Sequence, residues 1–308
     1  ALSFGTKFAF GVGQTAEGIK NTAFSTFLLI YYNQVLGLSG ALAGAAIMIA
    51  LVFDAITDPL AGSLSDNLRS RWGRRHPFMY ASALPLAACF YLLFVPPEGL
   101  GRGALFCWLT VFAVLTRAAM TLYHVPHLAL GAELSDDYEE RTSIVSFRQV
   151  FGILGSLAAV ILGFTVFFVD RDGMRGNLIA EAYPPFALTF AALMAGTILW
   201  SARGTHDQIP HLSVPEAALR PLSVTQVLGR VFTDLLAALR NHSFRWLFAG
   251  VIIVFVMVGV QSALNLYMAN YFWQFSSGEL LWVSLAPPLG MLLGAPFASL
   301  VNRRFEKK

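Results

Sequence analysis

Long apolar runs are the feature that most limits what this chain can fold into. Examples are ALFCWLTVFAVL, SLAAVILGFTVFFV, FALTFAALMAGTILW and WLFAGVIIVFVMVGV. Only 13% of the 308 residues are charged, about half the share in a typical soluble domain. Crossing a bilayer takes about 20 mostly apolar residues in a helix. The runs are too continuous for strands of alternating polarity, so the sequence predicts an all-α polytopic membrane protein.

Eight membrane-spanning helices are predicted from these runs. Their expected bounds are 6–36, 41–67, 78–96, 104–132, 143–169, 184–203, 243–274 and 280–301. The spans divide the chain into three parts, which are a group of six spans in 1–203, a polar loop in 204–242 and two further spans in 243–308. Within the loop, SVTQVLGRVFTDLLAAL has apolar residues at helical spacing, which predicts an amphipathic helix on the membrane surface.

Basic residues are distributed unevenly among the predicted loops. One set of alternate loops carries fourteen of them, namely Arg69, Arg71, Arg74, Arg75, Arg141, Arg203, Arg220, Arg230, Arg240, Arg245, Arg303, Arg304, Lys307 and Lys308. The opposite loops carry only Arg102, Arg171 and Arg175. Basic loops stay on the cytoplasmic side of a membrane, so both ends of this chain are expected in the cytoplasm. The membrane itself is expected to be a bacterial cytoplasmic membrane. The positive charge is thus explained without a nucleic-acid partner.

A short internal repeat links the ends of the second and eighth spans. GSLSDNLRSRWGRR closes the second span, and ASLVNRRFEKK closes the eighth. Many secondary transporters are built from repeated bundles of helices. The repeat predicts that the chain stops two helices into a second bundle, that four more helices follow Lys308, and that the eight spans alone do not transport.

Asp54 and Asp58 are the most informative charged residues within the spans. A charge at membrane depth costs at least about 2.5 kcal/mol on insertion scales, so it needs a reason. Residues four apart share one helix face, and a bound cation such as Na⁺ or a shared proton would relieve the repulsion of the two carboxylates. The alternative is that each aspartate pairs with an Arg or Lys of another helix. The cation hypothesis predicts that Asn at either position abolishes uphill transport.

Other ionisable residues within the spans are candidates for substrate binding. Glu17 and Lys20 are three residues apart in the first span and either pair with each other or bind substrate. His124 precedes a proline, and next to a helix break it is a candidate for binding substrate or a proton. Arg148 either reaches the membrane surface or faces a cavity. Arg117 is also charged at membrane depth, and no role is predicted for it.

Signatures of enzymes are not found in the sequence. It contains no nucleotide-binding P-loop and no HExxH, GxSxG or CxxC motif. The chain is therefore expected not to be an enzyme and to need no cofactor beyond a coupling ion, Na⁺ or H⁺. Its expected partners are a small-molecule substrate, that cation and the lipid bilayer, and it is expected to be a monomer.

Five stretches of the sequence resemble the glycoside–pentoside–hexuronide:cation symporter family of the major facilitator superfamily. They are DAITDPLAGSLSDNLRSRWGRRHP, TKFAFGVGQ, IYYNQVLGLS, VPHLALGAEL and ERTSIVSFRQVFG. The resemblance implies a major facilitator fold of twelve helices in two bundles. This chain would hold the N-terminal six-helix bundle plus the first two helices of the second bundle. The resemblance also implies a cation-coupled symporter that works by alternating access, with Asp54, Asp58 and Thr121 at the cation site.

The end of the second span resembles the loop motif of the same superfamily. Its residues here are Gly62, Asp66, Arg71, Gly73, Arg74 and Arg75. We expect Gly62 to allow close helix approach and Asp66 to hold a neighbouring helix by charge. Glu133 and Arg141 flank an acidic turn and are expected to form a salt-bridge network at the same membrane surface. The simpler alternative is that the basic cluster only anchors the chain at the cytoplasmic surface of the membrane.

The resemblance leaves the substrate open. The acid of the family's first span falls at Gly18 here, beside Glu17, and the acid of its fourth span falls at His124. Arg148 matches an arginine at the family's sugar site. We expect a sugar or glycoside, bound by Glu17, Lys20, His124 and Arg148. The alternatives are a lysophospholipid-type lipid, since animal carriers of such lipids have His-Val-Pro at this place, and a membrane receptor or scaffold that does not transport.

Overall fold

The computed structural model of the chain is almost entirely helical. It describes residues 2–171, 173–212, 229, 233 and 236–304, and for residues 211 and 295–304 the backbone alone. The α-helices with described ends are α1 (Phe4–Val12), α2 (Gln14–Thr22), α3 (Gly40–Asn67), α4 (His76–Phe94), α5 (Arg102–Glu133), α6 (Tyr138–Leu162), α7 (Tyr183–Gly204), α8 (His242–Tyr267) and α9 (Ser277–Arg304). The amphipathic helix predicted in the polar loop lies almost wholly outside the described residues.

Six helical segments are long and apolar enough to cross a membrane. They are Gly40–Asn67, His76–Phe94, Arg102–Glu133, Tyr138–Phe167, Ala180–Gly204 and His242–Phe272. These segments coincide with the second to seventh predicted spans, which are confirmed by length and composition. The eighth predicted span lies within the 28-residue helix α9 but is not among the six.

The first predicted span, 6–36, is helical almost throughout, but it is not one regular α-helix. α1 and α2 are nine residues each and meet at Gly13, and π-helical turns follow at Ala23–Leu28 and Tyr31–Val35. α2 lies so close to α6 that a Cβ added at Gly155 would collide with the carbonyl of Thr15.

Polar loop residues fix where several helices begin. The Ser39 hydroxyl accepts the N–H of Leu42 at 3.4 Å at the start of α3. The Asp137 carboxylate accepts the N–H of Glu140 at 2.8 Å at the start of α6. Asn241 accepts two backbone N–H groups at the start of α8. Each cap satisfies a donor that has no partner inside its helix, so the loop chemistry sets the boundaries of the spans.

Helix packing places the core among α1 to α7. α3 packs on α5, α4 packs on α5 and α7, and α1 and α2 pack on α6 and α7. The largest fully buried side chains are aromatic or aliphatic, namely Tyr32, Tyr123, Tyr183, Phe10, Phe27, Phe90, Phe94, Phe168, Phe186, Phe190, Ile19 and Leu28. α8 lies against Ala23–Leu28 and α9 against α6. The α3–α5 contact matters most for function because it brings the charged residues of the spans face to face.

Candidate functional site

Four charged residues lie near one another on α2, α3 and α5, and we name Lys20, Asp54, Asp58 and Arg117 the mid-helix cluster. Arg117 donates from Nε to Asp54 Oδ2 at 2.6 Å, and a terminal guanidinium nitrogen contacts the same oxygen. The guanidinium carbon also lies 5.7 Å from the centre of the Phe24 ring. Asp54 is therefore held in an ion pair with another helix, as in the alternative left open for it.

Asp58 has a different environment one turn further along α3. Thr121 donates its hydroxyl to Asp58 Oδ1 at 2.7 Å, so two of the residues implied for a cation site do meet. Within the described part of the chain, Asp58 forms no ion pair. Both cross-helix contacts join residues 63 positions apart, because α3 and α5 run in the same direction in matched register.

Lys20 completes the mid-helix cluster from α2. The residue is 6% exposed, and it forms no ion pair with any described residue. The charges of Arg117, Glu17, Asp54 and Asp58 all act on it. Glu17 and Lys20 do not form an ion pair with each other, which was one of the two alternatives that the sequence left open.

Glu17 instead faces His124 across the α2–α5 boundary. His124 Nδ1 lies 2.8 Å from Glu17 Oε2, and the side-chain amide of Gln14 contacts the same oxygen. α5 continues without interruption through Pro126, so the predicted helix break beside His124 is wrong. Neighbouring helices hold both halves of a membrane helix in place despite the donor that proline lacks.

Gly18 stands where the family resemblance expects an acid, and the backbone explains why a glycine is there. A Cβ built on Gly18 would collide with the carbonyl oxygen of Gly152 on α6. No side chain fits without moving one of the helices. The carboxylate available on this part of α2 is therefore Glu17, whose partner is His124.

Arg148 lies apart from the other predicted substrate residues. It lines a cavity of 170 Å³ with Phe10, Gly131, Arg141 and Ile144 among its neighbours. The Nε atom of Arg148 is buried and has no hydrogen-bond partner among the described residues. The structure thus brings Glu17 and His124 together but does not bring Arg148 into contact with them.

A second group of charges lies where α3 ends, α4 begins and α5 ends, and we name Asp66, Arg74, Arg75 and Glu133 the basic-end cluster. Arg75 lies 2.6 Å from Asp66 and 2.7 Å from Glu133, and Arg74 lies 2.9 Å from Glu133. Arg75 also donates to the Ser65 hydroxyl at 2.7 Å and is only 4% exposed. Asp66 on α3 and Glu133 on α5 thus both contact Arg75, the residue before α4.

Arg141 does not join this group, so Glu133 and Arg141, which were expected in one salt-bridge network, lie in two separate groups of charges. Arg141 lies 3.1 Å from Asp136 and donates to the Ser135 carbonyl at 2.6 Å. Glu133 is turned toward the start of α4, where Arg74 and Arg75 both contact its Oε1 atom. Arg141 therefore lies at the short, exposed acidic turn between α5 and α6, away from Glu133.

The residues of the loop motif differ in how far the local structure requires them, as Gly62, Gly73 and Arg71 show. A Cβ at Gly62 would lie 3.6 Å from Val125 Cγ1, which is ordinary contact, so packing does not require a glycine there. Gly73 has φ of +72°, a left-handed turn that favours glycine. The guanidinium of Arg71 lies 5.6 Å from the centre of the Trp72 ring. Of the motif's glycines, Gly73 is the one with a backbone reason.

A cavity of 290 Å³ lies between the first span, α6, α8 and α9. Its polar lining consists of neutral side chains, namely Thr22, Ser25, Thr26, Ser156, Ser262, Asn265 and Ser284. Hydroxyl and amide groups both donate and accept, which suits an uncharged, hydroxylated solute. Sequence reasoning missed this cavity because scattered Ser and Thr residues form no motif.

The end of the molecule opposite the basic-end cluster joins α8 and α9 to the earlier helices. The carboxylate of Asp170 accepts the Ser277 hydroxyl at 2.5 Å, the Ser277 N–H at 3.0 Å and the Gly176 N–H at 2.9 Å. Tyr267 donates its hydroxyl to Asn33 Oδ1 at 3.0 Å. Partial burial raises the pKa of Asp170, but these hydrogen bonds outweigh it and hold the pKa below the usual 3.8.

Known proteins similar to this chain are transporters by name. The chain is 33% identical over 206 residues to an uncharacterized symporter of Synechocystis sp., which covers 65% of this chain and 37% of that relative. It is 30% identical to the sodium-dependent lysophosphatidylcholine symporter 1-A of Danio rerio, over 53% of this chain and 30% of the relative. It is 25% identical to the isoprimeverose transporter of Lactiplantibacillus pentosus, over 53% of this chain and 34% of the relative.

The chain thus matches about a third of the length of these relatives. A family model described as MFS/sugar transport protein matches residues 9–308, nearly the whole chain. Together with the six helices of membrane-spanning length, this match identifies an integral, multi-pass membrane protein. The chain belongs to the MFS/sugar transport protein family.

Proposed function

We propose that this chain is part of a symporter that couples the inward movement of Na⁺ or H⁺ to the uptake of a small solute by alternating access. The observation that carries the proposal is the pair Asp58–Thr121 beside Asp54. A carboxylate at membrane depth with no basic partner is stabilised by a bound cation. In this proposal the cation binds Asp58, with the Thr121 hydroxyl as a further oxygen ligand, on the face of α3 that Asp58 shares with Asp54.

The proposed solute is a sugar or glycoside. The neutral lining of the 290 Å³ cavity supports this choice, because hydroxyl and amide groups match the hydroxyl groups of a sugar. The description of the family as sugar transport points the same way. Glu17, Lys20, His124 and Arg148 do not line this cavity, and they are proposed as further contacts of the solute outside it.

A lysophospholipid is the second candidate, because one similar protein is named a sodium-dependent lysophosphatidylcholine symporter. The acyl chain of such a lipid needs an apolar surface to lie against. The seven hydroxyl- and amide-bearing side chains in the lining of the cavity favour a sugar instead.

For the architecture, we propose the division expected from the sequence. Residues 1–203 would form the first six-helix bundle, 204–242 a cytoplasmic loop and 243–308 the first two helices of a second bundle. The carrier would act as a monomer without a cofactor. Both ends of the chain would lie in the cytoplasm of a bacterial cell, as the uneven distribution of Lys and Arg indicates.

Uptake by vesicles tests the proposed function. The purified full-length protein is reconstituted, and uptake of radiolabelled neutral sugars and of a lysophospholipid is followed with an inward Na⁺ gradient, an inward H⁺ gradient or neither. We expect one gradient to drive accumulation of a sugar, and an ionophore that collapses this gradient to abolish it. Equal uptake under all three conditions would contradict coupling, and gradient-driven uptake of the lipid alone would establish the second candidate.

Accessibility of the loops tests the orientation. A tag inserted between Arg69 and Arg75 is expected to be shielded in intact cells, whereas a tag at Gly173 is expected to react from outside. Lysed cells, in which both tags react, serve as the control. The reverse pattern in intact cells would contradict the orientation.

A further inference from the structure

The two aspartates of the mid-helix cluster share a helix face but not an environment. Asp54 Oδ2 is contacted by two nitrogens of the Arg117 guanidinium. The Arg117 and Asp54 side chains are 15% and 21% exposed. The Phe24 ring, 5.7 Å from the guanidinium carbon, fixes the arginine further. A cation that belongs to the protein already contacts Asp54 Oδ2, whereas Asp54 Oδ1 is buried with no hydrogen-bond partner among the described residues.

Asp58 keeps its negative charge available. Asp58 Oδ1 accepts a hydrogen bond from the neutral Thr121 hydroxyl at 2.7 Å, which leaves the second carboxylate oxygen for another ligand. Hard oxygen atoms such as these are the ligands that Na⁺ accepts. A monovalent cation bound here would contact Asp58 and Thr121.

The charge balance of the mid-helix cluster limits how strongly such a cation binds. Asp54 and Asp58 carry two negative charges, and Lys20 and Arg117 carry two positive charges, so the cluster is formally neutral. Lys20 is buried beside the same carboxylates. An added Na⁺ is attracted by Asp58 and repelled by Arg117, whose charge at one turn's distance changes an equilibrium constant by at least about tenfold in a partly desolvated site.

We propose that Arg117 is a tethered cation that takes the place of a mobile ion at Asp54, confines the coupling cation to Asp58 and Thr121, and thereby sets the affinity for Na⁺. The inference rests on the proposed function, which it deepens. It assigns Arg117 as a residue that determines ion selectivity, and it separates Asp54, which holds Arg117, from Asp58, which holds the ion.

Binding of radiolabelled Na⁺ to the purified full-length protein tests this assignment. Arg117→Gln removes the tethered charge and is expected to bind Na⁺ at least about tenfold more tightly than wild type. Arg102→Gln is the matched control, since it removes one exposed charge from the same helix about 22 Å away along its axis. That control is expected to bind Na⁺ like wild type.

The double variant Asp54→Asn/Arg117→Gln keeps the assignment testable where the single variant does not fold. It removes one charge of each sign, so Na⁺ binding is expected within about threefold of wild type, and uptake is expected to respond to the same ion gradient. Unchanged Na⁺ affinity in a folded Arg117→Gln protein, or loss of ion dependence in a folded double variant, would overturn the assignment. Wild-type uptake that no ion gradient drives would instead refute the proposed function itself.

Discussion

The basic-end cluster and the mid-helix cluster are both built on α3 and α5, yet they handle charge differently. In the basic-end cluster each acid meets at least one arginine, and Arg75 alone contacts Asp66, Glu133 and Ser65. In the mid-helix cluster, Asp58 meets only a hydroxyl, and Lys20 has no ion-pair partner among the described residues. Acids that are each paired with an arginine stabilise a fold, whereas an acid at membrane depth without such a partner leaves a place for a mobile ion.

The largest expected effect comes from breaking the basic-end cluster. Arg75→Met leaves the largely buried Glu133 carboxylate with less positive charge, and removing one partner of a buried pair typically costs about 3–5 kcal/mol. We expect a large drop in the thermal unfolding temperature of the detergent-solubilised protein. Arg69→Met, which alters an exposed side chain of the same loop, is the control. Equal unfolding temperatures for the two variants would show that the cluster does not stabilise the fold.

A smaller loss of stability is expected from Asp54→Asn. The change leaves the Arg117 guanidinium without its carboxylate, but Asn can still accept a hydrogen bond and the pair is partly exposed, so we expect a loss of about 2 kcal/mol. Adding Arg117→Gln to the same protein should restore most of this loss. The check is a thermal unfolding comparison of the single and double variants. A double variant that is no more stable than Asp54→Asn would contradict a stabilising pair.

The smallest expected effect is a pH dependence at the exposed Asp170–Ser277 contact. Because the pKa of Asp170 is depressed in the folded protein, its stabilisation is present above pH 3.8 and is lost as the pH falls through the folded value. Spin labels at Met174 and Gly278 should show a broader distance distribution at acidic pH. In Asp170→Asn, the distribution should already be broad and should not change with pH. A distribution that is insensitive to pH in the wild type would remove this role.

Sequence reasoning found the second to seventh spans and the two carboxylates, and the family resemblance placed Thr121 with them, but the partner of Asp54 was not found. The apolar runs are long enough to predict the second to seventh spans, and Asp54 and Asp58 stand out because charge is rare in such runs. The pairing of Arg117 needs the relative register of α3 and α5. One signal was present, since Arg117 and Thr121 have the same four-residue spacing as the two aspartates.

The first span shows what sequence reasoning cannot reach. Its π-helical turns and the change at Gly13 are marked by no local pattern in the sequence, and α1 and α2 pack closely on α6 and α7. The pairing of Glu17 with His124 also joins two helices whose rotation about their own axes is not encoded in a local pattern. Local sequence therefore predicted where helices lie and which residues are charged, while the choice of partners required the three-dimensional arrangement.

Gradient-driven uptake by Asp58→Asn in the full-length protein tests the central claim most directly. Asn keeps the shape of the side chain and its contact with Thr121 but removes the charge that would bind the coupling cation. Uptake is normalised to folded protein and compared with exchange of solute in the absence of a gradient. The account predicts that accumulation against a gradient disappears while exchange persists. A folded Asp58→Asn protein that still concentrates solute with unchanged ion dependence would contradict it.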